Sequence, residues 1–430
     1  PPILYLFSTL AISPSDLNLF LKNISQLVTV SARGKTAKTG ADMRDLGVLT
    51  DAGVLCRDGN IAWVGPMREW RDVLPRDVAE FDASGTTVLP GFVDSHTHMM
   101  FAGSREKEFA LRSEGATYQE IAGQGGGILS TIAHVRAAGK KDLKRRTGTY
   151  MNAMMRSGTT TVEIKSGYGL DMDSEIRMLE AITELGVEEL MDVVPTFLGA
   201  HAVPPEYSGR RGDYVALLTD RIIPYVGRRK LARFCDVFCE KGYFELDDAE
   251  RILSAARSQG MQLKMHADEL TPLGGAELAA RLGAVSADHL EHVSARGIAA
   301  MKEAGVAAGI LPGVSFFLNH AYAPARALID GGVAVAIASD FNPGSCMCWS
   351  MPMMMTIACT QMRMTPEEAI TAATLNGAAA LGLSGEIGSI EAGKRADLIV
   401  ADIPDYRFLA YHFGTNHVRT TIKNGTILEF

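Results

Sequence analysis

The sequence predicts an α/β fold: a (β/α)8 TIM-type barrel beside a small composite β-sandwich domain built from both chain ends. Three observations carry this prediction. Through the middle of the 430 residues, short β-rich apolar runs alternate with longer stretches of helical periodicity, in eight successive units. The two ends instead read as short strands joined by tight turns. Hydrophobic residues make up 47% and charged residues 21%, globular values that exclude a disordered or fibrous chain.

Taken in order, Leu27 to Pro90 reads as strands with turns at Asp58-Gly59 and Ser84-Gly85. The first barrel strand is predicted from Thr87 to Ser95. A long, mostly helical connection follows, with a Gly-rich turn at Gly123-Gln124-Gly125-Gly126-Gly127. The next strands are predicted at Thr159 to Lys165, Glu189 to Leu198, Arg233 to Glu240, Met261 to His266, Val285 to Leu290, Val306 to Leu311 and Val333 to Ser339. Between them, helices are predicted at Met172 to Leu185, Asp213 to Val226, Asp247 to Gln259, Gly274 to Leu282, Ala295 to Ala304 and Pro324 to Asp330. Two more follow at Pro352 to Met362 and Pro366 to Gly382. Thr365-Pro366-Glu367-Glu368 marks a helix start: a hydroxyl at the N-cap, Pro at the first helical position and acids in the first turn. Glu386 to Phe430 returns to short strands, with turns at Ala392-Gly393 and Asn424-Gly425. The expected division is 1–90 and 384–430 for the composite domain and 91–383 for the barrel.

Several function classes are excluded at this stage. The charge is 42 − 50 = −8 with no long basic block, which argues against a nucleic-acid partner. Pro1 to Phe20 lacks the basic start of a secretory signal, and a chain opening on Pro1 reads as beginning at a fragment boundary. The longest charge-free run, Phe341 to Met362, is broken by Asn342, Pro343, Gly344, Pro352 and Gln361, so it reads as a buried loop and helix start rather than a membrane span. The six scattered cysteines read as free thiols in a reducing cytoplasm. The alternative is zinc on Cys235 and Cys239 with Cys346 and Cys348, although neither spacing is that of a usual knuckle.

The polar residues at strand ends carry the chemistry. His96 and His98, two apart in extended chain, point to one side. His201 follows the third strand, His266 ends the fifth with Glu269 three positions on, His289 ends the sixth and Asp340 ends the eighth. All fall at the C-terminal mouth, where barrel enzymes keep their active sites. A lone histidine is more often a hydrogen-bonded structural group, and His134, His320, His412, His417 and His292, the last of them near the mouth, are read that way. His96, His98, His266 and Asp340 converge: three imidazoles and a carboxylate suit Zn²⁺ or Fe²⁺ and leave room for a water.

The run Leu89-Pro90-Gly91-Phe92-Val93-Asp94-Ser95-His96-Thr97-His98 resembles the first-strand signature of the amidohydrolase superfamily, and Gly388 to Leu398 resembles that superfamily's return into its small domain. Thr159 to Leu170, Phe197 to His201, His266 to Glu269 and Ser339 to Gly344 resemble the imidazolonepropionase family within it. The resemblance covers nearly all of the chain after about Leu27. It implies hydrolysis of 4-imidazolone-5-propanoate to N-formimidoyl-glutamate in histidine degradation, with one divalent metal per chain, zinc or iron, on His96, His98, His266 and Asp340. It further implies Arg105, Tyr168 and His201 as contacts to the carboxylate-bearing small-molecule substrate, and Glu269 as acid/base. His289 would sit near the metal water, Asn342, Gly344 and Ser345 on a loop touching substrate or product, and the enzyme would be a homodimer. After Ser345, Cys346-Met347-Cys348-Trp349-Ser350 departs from the family's more polar stretch.

The residues support this chemistry without a name. A metal brings the pKa of water toward about 7. Asp340 can ligate and orient, Glu269 can pass a proton to a leaving ring nitrogen, His289 can steady an oxyanion, and Arg105 can fork onto a carboxylate. The bland readings are a solvated helix-start charge for Arg105 and a core aromatic for Tyr168. Lys165 is expected to be structural or to support the ligands from behind. Three rivals stand beside this reading: a cytosine- or guanine-type deaminase, a binuclear cyclic-amide hydrolase with a carbamylated lysine near Lys241, and a non-enzymatic assembly protein.

Overall fold

The computed structural model describes residues 18–72, 74, 77–116, 120 and 125–429. Gly123 and Gln124 of the predicted Gly-rich turn, and residues 1–17 of the expected N-terminal domain, lie outside these.

Five strands precede the barrel: β1 (Leu19–Val28), β2 (Val48–Arg57), β3 (Asn60–Pro66), β4 (Ala79–Asp82) and β5 (Thr87–Pro90). The barrel strands are β6 (Phe92–Asp94), β7 (Thr159–Lys165), β8 (Asp192–Ala200), β9 (Phe234–Cys239), β10 (Gln262–Ala267), β11 (Ser286–His289), β12 (Ala307–Ile310) and β13 (Val335–Ile337). The C-terminal end adds β14 (Leu398–Ala401), β15 (Val418–Lys423) and β16 (Thr426–Ile427).

Strands from both ends form one sheet in the order β16-β15-β14-β5-β1-β2-β3, with β4 beside β1. The join is the antiparallel pair of β14 and β5, which sets Leu398 opposite Pro90 and Ala401 opposite Thr87. Alternate residues of this sheet, among them Leu21, Ile24, Val54, Val88, Leu398, Val400 and Ile422, enclose a core separate from that of the barrel. Both ends supply it, so neither end could bury it alone.

The barrel strands pair in parallel and in sequence order from β6 to β13. The ring closes through a bridge between Thr97 and Phe341, flanked by Asp340 N–H donating to His96 O (3.0 Å) and His98 N–H donating to Phe341 O (3.1 Å). The predicted first strand, Thr87 to Ser95, is in fact two. β5 belongs to the small sheet and β6 to the barrel, and Gly91 turns between them. Its N–H donates to Asp397 O at 2.9 Å, and a Cβ there would strike the Thr160 side chain.

Three helical stretches also differ from expectation. The one predicted at Asp213 to Val226 is Arg211–Leu217, a π turn at Leu218–Ile222, then Ile223–Arg229. Pro224 cannot donate to the preceding turn, and the helix widens around it. The helix predicted at Pro366 to Gly382 splits into Pro366–Ala373 and Leu375–Ala379 at Thr374, whose hydroxyl donates back to Ile370 O. A further helix, Pro312–Leu318, follows β12. Among the described residues no helix is long and apolar enough to cross a membrane.

Candidate active site

The loops beyond the C-terminal strand ends line a cavity of about 780 Å³. His96 and His98 follow β6, His266 lies in β10, His289 ends β11, and Asp340 stands just beyond β13. His289 and Asp340 adopt left-handed backbone conformations (φ +78° and +49°), which lets them depart from strict strand alternation.

The side chains converge closely. His96 Nε2 and His266 Nε2 each stand 3.3 Å from His98 Nε2. Asp340 Oδ1 stands 3.3 Å from His98 Nε2 and 3.5 Å from His96 Nε2. His289 offers a further nitrogen within 4.8 Å of donors on His96 and His266. His96 Nδ1 donates to Asp288 Oδ2 at 2.7 Å, which leaves its Nε2 a bare lone pair. His266 Nδ1 faces Asp236 Oδ2 at 3.0 Å, an ion-pair contact rather than an aligned hydrogen bond. Asp340 Oδ1 is buried with no hydrogen-bond partner. Lone pairs facing one another at such distances repel unless a cation lies among them, so the donor set fits a divalent metal.

Protonation states follow from burial. It holds His96, His98 and His201 well below the usual histidine range, assisted by neighbouring cationic groups, and holds His289 down at about 3. For His266 burial acts in the same direction, but the Asp236 carboxylate outweighs it and the net shift is upward. Glu269, whose Oε2 is 3.6 Å from His289 Nδ1, is raised to about 8 by burial, with the Asp340 charge adding to it.

The remaining predicted residues form the wall. His201 stacks on His98 (centroids 4.8 Å apart, 23° between planes) and donates from Nδ1 to Gly167 O at 3.0 Å. Tyr168 is buried, its ring 5.4 Å from that of His201. Burial raises its phenol pKa, so the hydroxyl keeps its proton. Arg105 lines the cavity and pairs with Glu108 at 2.8 Å, and Glu108 also accepts from Gly127 N–H. Asn342 Nδ2 donates to Asp340 Oδ2 at 2.9 Å, while its Oδ1 accepts from Gly344 and Ser345 N–H, both at 2.8 Å. A Cβ on Gly344 would strike the Arg105 guanidinium.

The loop that departs from the family pattern takes a definite form. Asn342 bridges to Cys346, Trp349 packs edge-on against Phe341 at 5.3 Å, and Ser350 caps the helix Met351–Gln361. Lys241 is exposed and absent from the cavity lining, which removes the lysine bridge of a binuclear centre. No cysteine joins a ligand cluster among the described residues. His320, read from sequence as structural, lines the cavity. His292 lines a neighbouring cavity of about 300 Å³ that Glu269 also borders.

Four residues escaped the sequence reading. Arg112 lies over the Phe317 ring at 4.9 Å and reaches Gly344 O at 3.4 Å, placing a second guanidinium on the cavity wall. Asp236, Lys264 and Asp288 lie behind the histidines. Their signal was a charged residue inside a barrel strand, with Lys264 on the same side as His266 two positions later.

The amidohydrolase family model matches residues 87–428. The chain is similar to the imidazolonepropionase of Parabacteroides distasonis, 51% identical over 410 residues, 95% of this chain and 98% of that protein. It is 46% identical over 414 residues to the imidazolonepropionase of Geobacillus kaustophilus, covering 95% and 97%. Its fold is similar to that of E. coli guanine deaminase (TM-score 0.68, 16% identity, 96% and 99% covered). It is also similar to that of an atrazine chlorohydrolase from Arthrobacter aurescens complexed with zinc (TM-score 0.67, 17% identity, 95% of both chains). Together with the histidine and aspartate donors at the mouth of a closed barrel, these matches show that the chain belongs to the amidohydrolase family.

Proposed function

We propose that this chain hydrolyses the ring amide of 4-imidazolone-5-propanoate to N-formimidoyl-L-glutamate, using one divalent ion, zinc or iron, on His96, His98, His266 and Asp340. The observation that carries the reading is a donor cluster in the same cavity as an arginine wall, in a chain about half identical to named imidazolonepropionases. When bound, such an ion supplies Lewis acidity, acidifying water and polarising a carbonyl.

The side chains divide the remaining work. Arg105 forks onto the propanoate, drawing its guanidinium from Glu108. The phenol of Tyr168 donates a hydrogen bond. With Nδ1–H given to Gly167 O, His201 presents Nε2 as an acceptor for a ring N–H. Asn342 fixes one oxygen of Asp340 and frees the other for the donor cluster. Glu269 takes a proton from the attacking water and returns it to the ring nitrogen as the C–N bond breaks. Neutral His289 steadies the oxyanion. The six cysteines, all unpaired, suit the cytoplasm as its compartment.

Incubating the metal-loaded protein with imidazolonepropanoate tests this directly. The ultraviolet absorbance of the ring is expected to disappear as N-formimidoyl-glutamate forms. Stable absorbance with fully loaded protein would refute the assignment.

A further inference from the structure

Behind the histidines, the barrel interior holds a set of charges that the reaction itself does not use. Lys165 Nζ donates to Glu163 Oε1 and to Asp236 Oδ2, both at 2.8 Å. Lys264 Nζ donates to Ser95 O at 2.7 Å and stands 3.4 Å from Asp288 Oδ2 and 3.5 Å from Glu163 Oε1. All five side chains are at most 1% exposed. The oxygens that face the lysines also face the histidines: Asp236 Oδ2 is 3.0 Å from His266 Nδ1, and Asp288 Oδ2 is 2.7 Å from His96 Nδ1. Two parallel chains result, Lys165-Asp236-His266 and Lys264-Asp288-His96, joined at Glu163.

Barrel interiors are ordinarily filled by layers of branched apolar side chains. Buried ion pairs are often no more stabilising than an apolar layer of the same volume. Five buried charges in that place therefore point to a task that an apolar layer could not perform. Imidazole orientation is such a task, because a ligand nitrogen is aimed by the hydrogen bond its other nitrogen makes.

We propose that Lys165 and Lys264 are positioning residues for the donor cluster. Each anchors one carboxylate against the Nδ1 of one histidine, so that the Nε2 lone pairs of His266 and His96 point at a common cation. This rests on the reading of His96 and His266 as metal ligands. Asp236 is also held through its other oxygen, which accepts from Val237 N–H (2.7 Å) and His266 N–H (3.2 Å). No hydrogen bond to the other oxygen of Asp288 accompanies its contacts with Lys264 and His96 among the described residues. Lys264 is therefore the more critical anchor.

The test uses the full chain with Lys165→Met, Lys264→Met and the nearly isosteric Asp236→Asn and Asp288→Asn. Zinc affinity is measured by competition with a chromophoric chelator, the fold by the thermal melt of the metal-free protein, and ligand geometry by the visible spectrum after Co²⁺ loading. The expected result is a zinc Kd weakened about 10–100-fold in each variant, with an altered Co²⁺ spectrum. The effect of Lys264→Met should exceed that of Lys165→Met. In the double variant Lys264→Met/Asp288→Asn the loss should be no larger than in the worse single, because the two act in series. Lysine variants that fold yet keep the wild-type Kd and Co²⁺ spectrum would overturn the proposal and leave the lysines as filling. If the lysine variants do not fold, the asparagine variants carry the test, and an unchanged Kd there overturns it equally. A wild-type protein that holds no zinc would be a different failure, that of the ligand reading.

Discussion

Glu269 and His289 face one another, and burial moves them in opposite directions, Glu269 up to about 8 and His289 down to about 3. The cause is the same for both, since desolvation penalises whichever form is charged. A carboxyl that titrates close to neutral pH can both take and return a proton, as a shuttle must, and an imidazole that stays neutral beside it suits an oxyanion partner. Glu269→Gln keeps the shape and removes the titration. It should retain the metal and bind substrate nearly as well, with kcat lower by about 10²–10⁴. Loss of metal in that variant would make Glu269 a ligand, and a kcat within a few-fold of wild type would give the transfer to His289 or Asp340. Arg105→Met tests the anion site, where a charge-assisted pair is worth about 1.5–3 kcal/mol. That predicts kcat/KM lower by roughly ten- to over a hundredfold, mostly through KM; an unchanged value would exclude Arg105 from the site. Glu269 and His289 were legible because strand ends collect them in one place, whereas Arg105, at the start of the helix Glu106–Ser113, was pointed to by the family resemblance. Asp236, Asp288 and Lys264 were not, because a charged residue inside an apolar strand shows neither its partner nor its depth.

At the scale of elements, the helix Pro366–Ala373 shows local chemistry fixing a boundary. Thr365 Oγ1 accepts from Glu368 N–H, and the Glu368 carboxylate accepts from Thr365 N–H at 2.9 Å, a reciprocal capping box. The same carboxylate accepts from Arg44 and Arg326, tying the helix to the 3-10 turn Gly40–Arg44 and to the helix Ala325–Asp330. Thr365→Ala should cost about 0.5–2 kcal/mol in chemical denaturation, with activity unchanged at 25 °C; a smaller loss would mean that Glu368 alone holds the end. Such caps are written in adjacent residues, so the start at Pro366 was readable. The break at Thr374 was not, because it depends on tertiary packing and a hydroxyl turned back on its own helix. The division at Gly91 was hidden for another reason. Pro90-Gly91 interrupts Thr87 to Ser95 as a turn signal, but only the two sheets it joins show that the chain changes partner there.

For the whole molecule, the two places where distant chain segments meet set the conditions it tolerates. Glu391, just ahead of β14, accepts from Ser389 Oγ (2.6 Å), Ala32 N–H (3.0 Å) and Ser31 Oγ (2.9 Å), binding the C-terminal end to the N-terminal one. Burial alone would raise its pKa, but these hydrogen bonds and Lys394 pull it down to about 2. A carboxylate whose folded pKa is depressed contributes stability that is present above about 4.5 and lost as pH falls toward 2. The Tm of the Glu391→Gln variant should therefore fall less between pH 6 and pH 3 than that of wild type, and equal falls would remove Glu391 from the acid response. The second meeting place is the barrel seam, where the ends of β6 and β13 are joined by a single bridge, two flanking backbone hydrogen bonds, and Ser339 donating from its N–H and Oγ to the Asp94 carboxylate. His96 and His98 stand on one side of that seam and Asp340 on the other, so a cation held by all three cross-links the first and last strands. Saturating zinc at about 100 times its Kd should then add about 2.7 kcal/mol to the folded state. Chelation should lower Tm and speed hydrogen exchange at the amides of His98 and Asp340 far more than at those between β7 and β8. Equal protection of both sets with and without zinc would mean that the seam closes without the cation, and that its donors do not share one.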